Sequence, residues 1–490
     1  MTKLLKSFVD GQTATPKVVR TIPVINPATA QPIARLELAD EALVDHAVSA
    51  ARRAAAPWRA LRATERSAYL YALADALEDN AETLARLESA DTGMTLKMTL
   101  EGHLPRAVAH LRWYAAEAER MTGECVRGEA GFLHLVERVP LGVIAIITPW
   151  NAPLAVASLS LAAALAAGNT CVIKASEQAP LTLSVLAEII RQLGLPNGVC
   201  NIVQGDAAAG RALVAHDGVN GICFVGGVET GRDVYARAAE HNKRLILELG
   251  GKSPTIVLAD ADLERAVDGA LLAVFASNGE VCTAGSRIIV EQAIYADFID
   301  AFIERTRRIR VGPPEDPQTE IGPLISDKHR LHVERAIANA CMDQGVLACG
   351  GKRPSDLGEG FYLQPAVVTR VEPSMQLAQN EVFGPVAAIL KASDAQHAMG
   401  IAQRTRYGLA ATLWSRDISR ALRLAHDLDA GTIAINSPVI RDLRAPFGGM
   451  KASGLGRVGG RAGLEQLTEL RTTVVPLQGL DLPRFGTEAN

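Results

Sequence analysis

Between residues 141 and 248, short β-branched stretches alternate with helix-length segments, and few folds accommodate that rhythm. Leu141-Gly-Val-Ile-Ala-Ile-Ile-Thr148 reads as a buried strand by length and branching. An Ala/Leu helix follows over 155–167, then a strand over 170–174, a helix over 180–193 and a strand over 199–203. A helix near 207–215, a strand over 221–225, a helix over 230–241 and a strand over 244–248 complete the run. This alternation predicts parallel βαβ units and a doubly wound α/β sheet. Ligands of such sheets bind at the carboxyl ends of the strands. Asn151, Lys174, Gly226 and Glu248 each end or follow one of them.

Outside this run, residues 41–120 carry apolar positions at helical spacing, such as Tyr69, Leu73 and Leu77. A second βα-rich region extends from about 251 to 450, with no long linker or internal repeat. Residues 132–138 and 472–477 alternate like strands and are expected to pair as a small projecting sheet. A chain of 490 residues holds two or three domains. The net charge of −4, with no basic tract, gives no electrostatic reason to expect nucleic acid or a membrane as partner. Seven cysteines without CxxC pairs argue against a disulfide framework or a structural zinc site. No metal is expected. The N-terminus lacks the apolar core of a signal peptide, so a cytoplasmic location is expected.

Cys282 lies among small residues in Phe275-Ala-Ser-Asn-Gly-Glu-Val-Cys-Thr-Ala-Gly-Ser-Arg287. A free thiol with a pKa of about 8.5 is mostly protonated at neutral pH, so a sulfur nucleophile needs a base. Glu248, in Leu247-Glu-Leu-Gly-Gly-Lys-Ser-Pro254, is the candidate, if partial burial lifts its pKa to roughly 6–7. The plainer alternative is a buried core cysteine. Asn151 of Pro149-Trp150-Asn151 can donate to an oxyanion or cap a helix. Lys174 and Glu177 can hold ribose hydroxyls or form a solvated loop pair. Phe224-Val-Gly-Gly-Val-Glu-Thr-Gly231 places glycines between a strand and a helix, where backbone N–H groups suit a pyrophosphate.

Taken together, these segments resemble the aldehyde dehydrogenase superfamily over roughly residues 20–475, in the family's order. Glu381-Val-Phe-Gly-Pro-Val386 and Pro446-Phe-Gly-Gly449 belong to the same match. The resemblance implies a Rossmann-like NAD domain (1–120 and 141–250), an α/β catalytic domain (251–452) and an oligomerisation arm (121–140 and 465–480). It implies a homodimer or homotetramer. It further implies that Cys282 attacks an aldehyde, that Asn151 and the Cys282 N–H hold the oxyanion, and that Glu248 activates water against the resulting thioester. NAD is the implied cofactor. Lys174 and Glu177 would hold its adenosine ribose and Glu381 its nicotinamide ribose, with Phe383 against the nicotinamide. Ile147, Thr148, Pro149, Trp150, Gly226, Gly227, Gly231 and Leu249 would complete that site.

Four positions depart from the family's pattern. Gly227 replaces a usual Ser, Ser277 and Glu280 stand where Asn and Gln are common, and Val458 replaces a usual Glu. Leu104-Pro-Arg-Ala107 and Asn436-Ser-Pro-Val-Ile-Arg-Asp-Leu-Arg444 resemble the branch that oxidises ring-fission semialdehydes such as 2-hydroxymuconate semialdehyde and its 5-carboxymethyl relative. Arg106 and Arg441 are then expected to bind a substrate carboxylate, because unpaired guanidiniums in a tunnel are costly. The alternative is structural pairing with Glu101 or Asp442. A succinate-semialdehyde or general aldehyde enzyme, a CoA-acylating relative and a non-catalytic scaffold protein are the competing functions.

Overall fold

The computed structural model describes residues 3–128, 131–480, 482, 483, 485 and 486. Its largest sheet has eight strands, with Val143–Ile147, Thr170–Ala175, Cys200–Gln204, Gly221–Val225 and Arg244–Glu248 as its parallel centre. Across the sheet these run Arg244–Glu248, Gly221–Val225, Val143–Ile147, Thr170–Ala175, Cys200–Gln204. Strand order therefore reverses between Val143–Ile147 and Gly221–Val225, which opens a crevice at their carboxyl ends. All five expected strands are present, each within two residues of its expected ends.

The intervening helices also form, with one informative shift. The helix expected at 230–241 is Val228–Ala239, because Gly227 already serves as its N-cap. Helix Pro153–Ala166 is buried on nearly its whole circumference, which accounts for its unbroken apolar sequence. It packs against helix Leu104–Ala118 and beneath the sheet.

The sheet is not wholly parallel, in contrast to the uniform βαβ run expected. Ser7–Val9 joins one side antiparallel to Cys200–Gln204, and Gln12–Ala14 follows it. Gly454–Leu455 pairs antiparallel with Leu247–Glu248 on the other side. Both additions cover edges that would otherwise present unpaired backbone groups. The second requires the chain to return from the far region of sequence, so Glu248 is held between Val225 and Gly454.

A seven-stranded sheet is built from the later half: Val346–Cys349, Ala366–Thr369, Val386–Ala392, Arg287–Glu291, Pro254–Val257, Ala410–Trp414 and Thr432–Ile435, in that spatial order. Its first pair is antiparallel and the rest are parallel. The segments expected to pair do so: Phe132–Pro140 lies antiparallel between Thr468–Pro476 and Glu124–Arg127. Among the described residues no helix is long and apolar enough to cross a membrane.

Candidate active site

A cavity of about 820 Å³ runs from the crevice at Gly226 and Gly227, past Glu248, Leu249 and Cys282, to Arg106 and Arg441. Pro149, Trp150, Asn151, Glu381 and Phe383 line it as well. Ile147, Thr148, Lys174, Glu177 and Gly231 do not line this cavity. Ile147 and Thr148 are buried, with the Thr148 N–H bonded to the Lys174 carbonyl. Lys174 Nζ donates to Glu177 Oε2 at 2.8 Å, so the two meet at the end of their strand. A Cβ on Gly231 would come within 2.4 Å of Leu249, which makes this glycine a packing requirement of the helix against Leu249.

The segment before Cys282 is bent sharply. Ser277, Asn278 and Gly279 take consecutive positive φ values of 51, 58 and 70°. Asn278 holds this turn: its Nδ2 donates to the carbonyls of Gly93 and Pro323, and its Oδ1 accepts from the Gly322 N–H. Nothing in the short run of sequence around Cys282 announces those distant partners. Asn151 Nδ2 donates to the Glu280 carbonyl at 2.8 Å, which ties the amide to the nucleophile segment and leaves its second N–H available. The Cys282 N–H forms no hydrogen bond among the described residues. Burial pushes the Cys282 thiol up to about 11, with Arg441 opposing the shift.

Glu248 is buried, and neither carboxylate oxygen has a hydrogen-bond partner among the described residues. Burial raises its pKa to about 8, against the favourable fields of Arg441 and Arg457. That exceeds the roughly 6–7 expected for a general base, because the carboxylate is desolvated without compensating donors. The glycines after it permit close packing. A Cβ on Gly250 would fall 2.0 Å from Glu381 Oε2, and one on Gly251 would fall 2.7 Å from the Cys282 carbonyl. Glu381 Oε1 accepts from the Gly251 N–H at 3.1 Å, and burial lifts its carboxyl to about 7.

The aromatic wall is also fixed. Phe383 sits at φ 57° with its carbonyl 2.7 Å from His329 Nε2, and its ring meets Trp150 edge-on at 5.3 Å. Glu280 is wholly buried beneath this group; its Oε1 accepts from the Ile325 N–H and lies 3.7 Å from His329 Nε2. Burial raises its pKa well above the carboxylate range. Val458 lines the cavity with an apolar surface where a carboxylate was the family's usual choice.

The far end of the cavity carries two half-buried cations. Arg106 and Arg441 have no carboxylate partner among the described residues, and Arg106 Nε makes no hydrogen bond. Arg441 lies over the Phe447 ring, 3.9 Å from its centroid. The alternative pairing of Arg441 with Asp442 does not form: Asp442 is taken by Arg444 at 2.6 Å. Burial lowers Arg106 to about 10, and Arg441 beside it acts in the same direction.

The residues at the crevice fit a dinucleotide. Gly227 caps its helix without a side-chain bond, so the first N–H groups of Val228–Ala239 remain available to a phosphate. Glu381 supplies a half-buried acceptor in the same cavity as that turn and Cys282. Among the described residues no group of three or more His, Cys, Asp or Glu side chains is disposed to hold a metal ion.

Known proteins resemble this chain over nearly its whole length. The chain is 41% identical to a betaine aldehyde dehydrogenase of Cereibacter sphaeroides over 97% of its own length and 98% of the relative's. It is equally 41% identical to a 5-carboxymethyl-2-hydroxymuconate semialdehyde dehydrogenase of Escherichia coli, over 89% of its length and 93% of that protein's. The NAD+ complex of an aldehyde dehydrogenase from Bacillus cereus superposes with a TM-score of 0.95 at 35% identity, covering 97% of both chains. With residues 14–473 matching the family's sequence model and the fold shared with an NAD+-bound member, this chain belongs to the aldehyde dehydrogenase family and is an NAD-dependent aldehyde oxidoreductase.

Proposed function

We propose that this enzyme oxidises a carboxylated aldehyde, an unsaturated semialdehyde of the kind released by aromatic ring fission, to the corresponding diacid. The observation that carries this reading is the pair of half-buried guanidiniums, Arg106 and Arg441, that share a cavity with Cys282 and lack carboxylate partners among the described residues. A substrate carboxylate would supply the missing charge with bidentate hydrogen bonds. The two relatives at equal identity differ on this point. Betaine aldehyde is a cation and would meet like charge here; a hydroxymuconate semialdehyde is an anion.

In this reading the Cys282 thiol passes its proton to solvent as Sγ adds to the aldehyde carbon, and the charge that develops on oxygen is met by the free N–H of Asn151 and the N–H of Cys282. NAD, when bound, supplies the acceptor for the hydride that leaves the adduct. Glu381 is positioned to hold a ribose hydroxyl, and Phe383 with Trp150 to exclude water from one face. Lys174 and Glu177 sit at a strand end, where an adenosine ribose would reach them. Glu248 then takes a proton from water as that water attacks the thioester, and the acid is released. A retained buried carboxylate beside Cys282 supports hydrolysis over transfer to CoA.

The test is a panel of 6-oxohexanoate, betaine aldehyde and hexanal with NAD. The expected order of kcat/KM places the anion above the neutral aldehyde and the cation last. A wild-type enzyme that prefers betaine aldehyde or hexanal contradicts the reading and leaves aldehyde oxidation intact.

A further inference from the structure

Glu88 and His103 form a buried polar pair that none of the steps above uses. Glu88 lies on helix Ala81–Thr92 and is fully buried. His103 ends the π-helical turn Thr99–His103 that leads into helix Leu104–Ala118. Such turns insert an extra residue into a helix and recur at functional sites. His103 Nδ1 stands 2.7 Å from Glu88 Oε1. A carboxylate only accepts, so Nδ1 is the donor, and in the neutral ring Nε2 is left as an acceptor.

If the pair served packing alone, both ring nitrogens would be satisfied or sealed. Instead His103 lines the substrate cavity with Gly102 and Arg106, and its Nε2 makes no hydrogen bond among the described residues. His103 stands three residues before Arg106, a spacing that puts both on one helical face. The ring is only 5% exposed, so it is held rather than swinging freely. Glu88 Oε2 has no hydrogen-bond partner among the described residues, and the carboxylate also favours the charge on Arg106. One buried acid therefore orients an acceptor and steadies a cation on the same wall.

Resting on the reading that this cavity takes a carboxylated aldehyde, we propose that His103 is a specificity-determining residue for a hydroxyl next to that carboxylate. Nε2 accepts the hydroxyl hydrogen while Arg106 and Arg441 hold the carboxylate. Glu88 acts through His103 as a positioning residue. The ligand class is a 2-hydroxy or enol carboxylate with the aldehyde at its far end. No bond is made or broken at His103.

The experiment compares 2-hydroxy-6-oxohexanoate with 6-oxohexanoate, which differ only in the hydroxyl, and uses hexanal as the neutral reference. In the wild type the hydroxylated acid should be favoured in kcat/KM by about 5- to 10-fold, the worth of one neutral hydrogen bond. In His103→Leu that ratio should fall to about one, chiefly through KM. His103→Gln, whose amide oxygen can accept from the same wall, should restore part of it. A wild-type ratio near one overturns the proposal whether or not any variant folds. An unchanged ratio in a folded His103→Leu overturns it as well. The preference for 6-oxohexanoate over hexanal reports on Arg106 and Arg441 instead. Its absence would overturn the carboxylate reading, while the hydroxyl ratio would still report on His103.

Discussion

Glu248 shows how burial sets the working range of a single residue. Its carboxylate is desolvated with no hydrogen-bond donor to either oxygen among the described residues, and its pKa rises to about 8. Only the ionised form can take a proton from water. Thioester hydrolysis should therefore rise with pH, about tenfold per unit below pH 8, and level off above it. Glu248→Gln should release NADH in a burst near one per active site, followed by slow turnover with no such rise. Rapid-mixing measurements across the pH range check both. A missing burst with slow first turnover would place Glu248 before the thioester rather than after it. This residue and Asn151 could be singled out in the sequence because each ends or follows a predicted strand, and Cys282 because it lies in a run of small residues that resembles the family's nucleophile segment. Glu88 and His103 were not, because their pairing depends on two helices packing together. Only the three-residue spacing of His103 and Arg106 was there to be noticed.

At the scale of elements, the turn before the nucleophile is the part most dependent on the rest of the fold. Asn278 holds three consecutive left-handed residues by bonding to Gly93, Pro323 and Gly322, all distant in sequence. Asn278→Ala removes those bonds and leaves alanine at φ 58°. The local cost should be about 2–4 kcal/mol, from lost buried hydrogen bonds and backbone strain. A fall of more than about tenfold in kcat and faster alkylation of Cys282 are the expected readouts; unchanged values of both would show that the turn is held elsewhere. The five central strands were readable because each is a short segment with an apolar, mostly β-branched or leucine-rich centre between turns. The strands within residues 3–38 were not, because three of them have only three residues and the two longer ones, Arg20–Asn26 and Gln31–Leu38, mix polar residues and proline with their apolar positions. Nor was Gly454–Leu455, a two-residue strand whose existence depends on the edge beside Glu248.

At the scale of the whole molecule, the three-stranded sheet of Glu124–Arg127, Phe132–Pro140 and Thr468–Pro476 has an exposed outer strand that carries apolar side chains. Leu470, Val474 and Val475 of Thr468–Pro476 are exposed, as are Val126 and Leu135 on the neighbouring strands. An edge of this kind invites pairing with another chain. A homodimer or a dimer of dimers is the expected assembly, and Leu470→Glu with Val474→Glu should shift it towards smaller species by light scattering. A wild-type protein that is monomeric and active at assay concentrations would contradict this.

The substrate account rests on Arg106 and Arg441, and their separate replacement by alanine tests it most directly. Each guanidinium should contribute roughly 1.5–3 kcal/mol to binding a carboxylate, so either variant should lose about 10- to 100-fold in kcat/KM for 6-oxohexanoate. Hexanal offers them nothing and should change far less. A selective loss on the acid is the predicted result. Equal losses on both aldehydes would mean that the arginines support the fold rather than read the substrate.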